Sequence, residues 1–468
     1  MPKPKLSELD RYLEHLCEAL GHADRHAAFM DYSRGLMLPI ERKSVEPLAA
    51  HTDPWHVSSK HQSLHHLVAE SPWSDEAVVG RVREWVTPGL GLEEGCYWIV
   101  DDTGFAKKGK HSVGVAHQYC GQLGKAANCQ VAVSLSLASR RGSIPIAWRL
   151  YLPESWASDA ERRGRAGVPA EIQFATKGQI ALGQIRTAKA NGVPVGVVLA
   201  DAAYGNDSGF REALTALQLR YCVGVQSSTS VWPEGRGPLP PQAQSGRGRK
   251  AVRLRRDPRH PPPSLKELAM SLPVKAWQTV SWREGTSKVL RSRFAAVRVR
   301  PAHRDYKRRT PHEEQWALIE WSKDDVEPLK YWLATLPADT PLTDLVYTAK
   351  MRWRIERDYQ ELKQEFGLNH YEGRGWRGFH HHATLCIAAY GFLLAHRLKR
   401  SGGKKNSARP KAPRLPDDYT PRGSGANSAS RPGLDRDAAP SHRSRTRTTS
   451  RSMPVLLGAK RWAALMTQ

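Results

Sequence analysis

At two places in this 468-residue chain an apolar run ends in carboxylate, where an unpaired charge is costly. CYWIVDDTG (96–104) is rich in β-formers and closes on Asp101 and Asp102, and the all-apolar PVGVVLAD (194–201) closes on Asp201. Such a carboxylate must be paired or bind a cation. Each alone also reads as a helix cap or turn residue. Asp101 competes with Asp102, because one step along a strand turns the side chain to the other face. A third acid belongs to a helix. In YTAKMRWRIERDYQELKQEFG, Met351, Ile355, Tyr359, Leu362 and Phe366 recur at helical steps as a buried stripe, and Arg352, Glu356 and Lys363 share an adjacent face. That face offers a carboxylate between two cations. Periodicity by itself favours a solvated face carrying an ordinary Arg–Glu pair four residues apart.

The elements that must position these residues follow from pattern and punctuation. The length accommodates two or three domains. Leu6, Leu9, Leu13, Leu16 and Leu20 mark an amphipathic helix over 5–20, and helical patterns at 57–70 and 75–87 are separated by prolines, so residues 1–92 form a helical N-terminal region able to bind DNA, to dimerise or merely to pack. Residues 93–226 read as a strand at 96–104, a hairpin of CQVAVSLSLAS (129–139) and IPIAWRLYLP (144–153) joined by RRGS, a helix over 177–191 and the strand at 194–201. This order gives an α/β fold with a mixed sheet covered by helices, as in ribonuclease H-like cores. Residues 227–338 begin with a Pro- and Gly-rich basic stretch, 236–263, holding eight Lys/Arg against one acid. It reads as a flexible segment without a core. Strand-like runs at 277–284, 288–302 and 313–322 then form a β-rich insertion. Two long helices, 341–366 and 376–400, occupy 339–400, and the Ser-, Arg-, Pro- and Gly-rich tail 401–468 is expected to be disordered.

Charge points to a polyanionic partner. Seventy-one Lys and Arg against 46 Asp and Glu give +25; the tail from 401 carries 14 Lys/Arg and 4 Asp/Glu, leaving +15 on the first 400 residues. Phosphate neutralisation by such a surface makes binding salt-dependent. A basic protein with no nucleic-acid role has the same composition. The six cysteines are scattered without a CxxC pair, which argues against a zinc knuckle or a disulfide framework. The N-terminus has no apolar signal region and no stretch of 18 apolar residues occurs, so a cytoplasmic, nucleoid-associated location without membrane contact is expected.

The run RWRIE with Lys363 seven residues after the glutamate resembles the Arg–x3–Glu–x6–Lys signature of DDE transposases from bacterial insertion sequences. VDDTG and LADAAYG resemble the segments carrying the first and second catalytic aspartates, and DDTGFAKKGKHSVGVAHQYCGQLGKAANCQVAV is most similar to the insertion-sequence-701 group. The resemblance covers roughly residues 10–400. It implies Asp102, the acid directly before Thr103, Asp201 and Glu356 as catalytic and metal-binding residues, with Arg352 and Lys363 on DNA phosphate. It also implies a β-rich insertion within the 154 residues between Asp201 and Glu356. The signature usually has Tyr three residues before its Arg; here that residue is Ala349, with Tyr347 two earlier.

Three carboxylates without Cys or His suit Mg²⁺ or Mn²⁺. Two such ions about 4 Å apart would activate the nucleophile and stabilise the leaving oxygen in an in-line displacement. Water would first release a 3′-OH at the element end, and that 3′-OH would attack target DNA. The partners implied are the terminal inverted repeats and target DNA, bound by a homodimer that holds two ends together. Lys107, Lys108 and Lys110 are further candidates for phosphate contact, or a solvated loop. His380, His381 and His382 face different sides of a helix, cannot chelate one ion and are expected on the surface or the DNA backbone. A histidine-pair nuclease would need a Tyr nucleophile such as Tyr390. GRGWRG (373–378) and GKHSVG (109–114) lack the P-loop pattern. Trp277, Trp282, Trp316 and Trp321 suit either stacking on a base or core packing. Two rival functions remain open: a silent transposase-derived DNA-binding regulator, suggested by the atypical tail, and a host nuclease of similar fold.

Overall fold

The computed structural model describes residues 6–242, 251–284, 289–322 and 325–402. The tail beyond 402 and the centre of the basic stretch, 243–250, lie outside the described residues. One compact unit takes in the described residues of 6–283 and 290–402.

Helices α1 (Glu8–Cys17), α2 (Asp24–Met37), α3 (Val45–Thr52), α4 (Val57–Ala69) and α5 (Asp75–Val86) form the N-terminal region. Ser7 and Ser74 cap α1 and α5 through their side chains, satisfying amides that a helix start leaves unpaired. The next helices are α6 (Glu154–Ala157), α7 (Ala160–Arg165), α8 (Lys177–Ala190), α9 (Ala202–Gly205), α10 (Ser208–Ala216) and α11 (Leu265–Ser271). The chain's last described helices are α12 (Leu342–Lys350), α13 (Trp353–Gln364) and α14 (Trp376–Gly402). Ala383, Leu385, Cys386, Ile387, Ala388 and Ala389 are all buried, so α14 is apolar around its circumference over that stretch. The N-terminal helices share its core. Tyr12 donates to the Ala388 carbonyl at 2.7 Å, and Tyr32 bonds His382 at 2.9 Å.

The strands are β1 (Tyr97–Ala106), β2 (Ala116–Cys120), β3 (Lys125–Ala138), β4 (Ser143–Leu150), β5 (Val197–Ala200), β6 (Tyr221–Val225), β7 (Val231–Pro233), β8 (Gln278–Glu284), β9 (Val289–Pro301), β10 (Gln315–Trp321) and β11 (Lys330–Ala334). Among the described residues they form one mixed sheet. β4, β3 and β1 are antiparallel neighbours, and β5 and β6 continue parallel to β1. β11 pairs antiparallel with β6 and is followed by β10, β9 and β7. Pairing β6 with β11 satisfies an edge that would otherwise present unpaired backbone groups, so the strands between Asp201 and Glu356 extend the central sheet.

Two expectations are corrected. The helix expected over 341–366 is interrupted at Met351 and Arg352. The Arg354 and Ile355 amides donate three residues back, to Met351 and Arg352, a locally tightened turn. Because the apolar stripe runs unbroken through this turn, periodicity could not reveal it. The basic stretch is also not free of core contacts. Leu254 is buried, its amide donates to Arg308, and Arg256 pairs at 2.8 Å with the buried Asp305, which also accepts from Trp232. Composition averages over such single anchors.

Candidate active site

The two faces of the sheet separate the adjacent aspartates of β1. Asp101 lies opposite Ser134 on β3 and Asp102 opposite Val133. Ser134 bonds the Tyr359 hydroxyl of α13, so the face carrying Ser134 and Asp101 is the one on which α13 packs. Asp102 meets α8 and α9 instead: Lys177, the first residue of α8, reaches it at 2.9 Å, and Tyr204 donates to it at 3.4 Å. The parallel register Tyr97↔Val197, Trp98↔Val198, Ile99↔Leu199, carried two places further, aligns Asp101 with Asp201.

Arg352 is the hub on the α13 face. Its Nη1 bonds Asp101 Oδ2 at 2.7 Å, and its Nη2 bonds Glu356 Oε1 one helical turn on. Asp201 adds a third negative charge to the field at this guanidinium. Burial opposes the charge on Arg352, but Asp101, Glu356 and Asp201 more than offset it and its pKa is raised. Burial pushes Asp101 up to about 8 against the pull of Arg352, with Asp201 and then Asp102 adding to the push. A carboxyl in this state gains strongly from a nearby cation.

Asp201 also N-caps α9, accepting from the Ala203 amide at 2.9 Å. Gly205, four residues on, lets α9 sit against β6, since a Cβ there would lie 2.0 Å from the Gly224 carbonyl oxygen. That close approach explains the glycine of LADAAYG and fixes where Asp201 emerges.

The family model for the DDE superfamily endonuclease matches residues 15–289. The chain belongs to the DDE superfamily endonucleases. It is 27% identical over 229 residues to a probable transposase for insertion sequence element IS701 from Microchaete diplosiphon, an alignment covering 49% of this chain and 56% of that relative. The chain thus spans little more than half the length of the curated relative it matches. In this DDE endonuclease the family match includes Asp101, Asp102 and Asp201 and stops before Glu356, so the glutamate rests on geometry and on its motif.

The donor set around Arg352 is all carboxylate oxygen, the chemistry that hard divalent ions require. Among the described residues, no three Asp, Glu, His or Cys side chains converge closely enough to grip an ion as they stand. Arg352 lies between Asp101 and Glu356.

The other expected DNA contacts divide. Lys363 donates to the Gly104 carbonyl at 2.8 Å over the Phe105 ring, and burial lowers it to about 8. Lys107 donates to the Tyr371 carbonyl, and burial lowers it too. Lys108 is exposed, two residues beyond the end of β1. Sequence reasoning missed Lys177 and Tyr204. The Thr176–Gln179 capping box announces the start of α8 but says nothing of the partner its first lysine reaches.

His380, His381 and His382 are buried, which corrects their expected surface placement. His382 accepts from Tyr32 and reaches the Gly367 carbonyl, while His381 stacks on Trp73 at 3.6 Å between centroids. Burial lowers both to about 4. They hold the N-terminal helices to α14. Tyr390 donates to buried Asp358 and serves the core as well. The insertion tryptophans are half-buried, with Trp277 packed edge-on to Trp321 and Arg298 lying over Trp316. The glycines of GRGWRG make room for the Tyr371 hydroxyl, 2.1 Å from a Cβ at Gly373 and 1.9 Å from one at Gly378.

Proposed function

We propose that this chain is a transposase of a bacterial insertion sequence, cleaving and rejoining DNA phosphodiesters at Asp101, Asp201 and Glu356. The observation that carries the proposal is the pairing of Asp101 and Glu356 on Arg352, with Asp201 aligned beside Asp101 on the neighbouring strand, in a member of the DDE superfamily endonucleases. The order β4-β3-β1-β5-β6, three antiparallel strands followed by two parallel ones, supports a ribonuclease H-like core. In this proposal Asp102, paired with Lys177, flanks the acid cluster rather than belonging to it, which revises the assignment suggested by the motif.

Mg²⁺ or Mn²⁺ held by the three carboxylates, two ions being expected, would supply Lewis acidity at the scissile phosphate. The chain's own residues do the rest. Asp101 projects from the middle of β1, Asp201 from the end of the neighbouring β5 and Glu356 from α13, which gives the cluster a rigid frame. Arg352, Lys363, Lys107 and Lys108 contribute positive charge for the DNA backbone. In the first step the oxygen of water bonds to phosphorus and the P–O3′ bond breaks, freeing a 3′-OH at the element end. In the second that 3′ oxygen bonds to a target phosphorus, loses its proton and displaces the target's own 3′ oxygen. Two ends must be held together, for which a homodimer on the terminal inverted repeats is the simplest assembly.

The test is incubation of the full chain with Mg²⁺ and DNA bearing the element's terminal repeats. Joined products that Asp201→Ala abolishes support the proposal. Sequence-indifferent degradation identifies a nuclease, and binding without cleavage a regulator.

A further inference from the structure

Arg352 occupies the space between Asp101 and Glu356 that a shared cation would need, and Asp201 adds to the same field. The guanidinium and a divalent ion therefore compete for the same oxygens. A dication entering beside Arg352 would also meet a like charge at close range in a poorly screened site. The hub residue stands in the tightened turn between α12 and α13, where nearby Lys350 is anchored elsewhere, on Glu320 at 2.6 Å. The backbone at Arg352 can thus stay fixed while its long side chain exchanges partners. Phosphate oxygens are the natural alternative acceptors, since a planar guanidinium binds phosphate and carboxylate in the same bidentate way.

We infer that Arg352 is a latch on the acid cluster: in the chain alone it takes the place of the divalent ions, and DNA phosphate draws it off so that ions bind. This rests on the proposed metal-binding role of Asp101, Asp201 and Glu356. It makes ion binding conditional on DNA and keeps the undocked enzyme from assembling a cleaving centre.

The test is a Mn²⁺ titration of the full chain without DNA, followed by the paramagnetic resonance signal of the free ion. Arg352→Gln, which keeps an amide but removes the charge, should bind Mn²⁺ about tenfold more tightly than the natural chain. Arg352→Lys, which keeps the charge but lacks the planar fork that reaches both carboxylates at once, should fall between the two. If the glutamine variant fails to fold, the lysine variant decides. Affinity equal to or weaker than that of the natural chain overturns the latch. Adding Asp101→Asn separates the two ideas. If it weakens Mn²⁺ binding in the natural chain while Arg352→Gln changes nothing, the acid site stands and the latch fails. If Arg352→Gln tightens binding and Asp101→Asn leaves that gain intact, the ion sits elsewhere and both ideas fall.

Discussion

The hydroxyls of Ser134 and Tyr359 lie 2.8 Å apart, both buried, and their bond ties β3 to α13. It sets the face on which Asp101 meets Arg352. Tyr359→Phe removes the hydroxyl, leaves Ser134 without this partner and should cost about 1–3 kcal/mol. Urea unfolding measures the loss, and DNA cleavage should fall with it because α13 also carries Glu356. Unchanged stability with unchanged cleavage would mean that this bond does not hold the helix in place.

Gly205→Ala should be severe, because its Cβ would collide with the Gly224 carbonyl and push α9, capped by Asp201, off β6. A loss above about 2 kcal/mol is expected, with cleavage abolished. Gly183→Ala in α8, where a Cβ meets nothing within 4 Å, is the matched control and should stabilise by about 0.5–1 kcal/mol. Comparing the two melting curves tests whether steric contact, rather than glycine flexibility, governs position 205.

Lys350 and Glu320 form a largely buried pair at 2.6 Å, with the ammonium 4.3 Å from the centroid of the Trp282 ring. Burial lowers Lys350 to about 8. Lys350→Ala strands a buried carboxylate and should cost about 3–5 kcal/mol, whereas the double change Lys350→Met with Glu320→Leu should cost much less. A double-mutant cycle in urea reads the difference. Equal losses would show that the aromatic packing, and not the charge pair, holds α12 to the sheet.

His382 is satisfied as a neutral ring, accepting from Tyr32 and donating to Gly367, and burial lowers it from 6.5 to about 4. Its folded pKa lies below its unfolded one, so between these values the unfolded chain binds the extra proton. The contribution is full above pH 6.5 and is lost as the pH falls toward 4, about 3 kcal/mol in all. Denaturation at stepped pH should show this slope, reduced in His382→Asn. A slope unchanged by that substitution would assign the acid sensitivity to other groups.

Much of this arrangement was legible in the sequence, and what was hidden is long-range. The end of an apolar run announced Asp201, whereas β1 runs on to Ala106 and holds Asp101 and Asp102 in its middle; the stripe from Met351 to Phe366 gave the phase of α13. No pattern within β1 could say which of two adjacent acids faces α13. That depends on Ser134 lying opposite Asp101 and bonding Tyr359, a contact spanning the chain. The turn at Arg352 was masked because its flanking apolar residues keep helical spacing. The burial of His380, His381 and His382 follows from N-terminal helices folding back on α14, which local periodicity does not register. Leu254 and Arg256 disappeared into a composition average.

The central claim is the identity of the first acid, and matched asparagine variants test it most directly. Asp101→Asn and Asp102→Asn, each checked for native folding, would be compared with the natural chain in Mg²⁺-dependent cleavage of terminal-repeat DNA. Cleavage should fall at least about a thousandfold in Asp101→Asn, the scale of losing a group that acts on the transition state. Asp102→Asn, which loses only its pairing with Lys177, should retain measurable cleavage. Abolition by Asp102→Asn with near-normal activity in Asp101→Asn would contradict it.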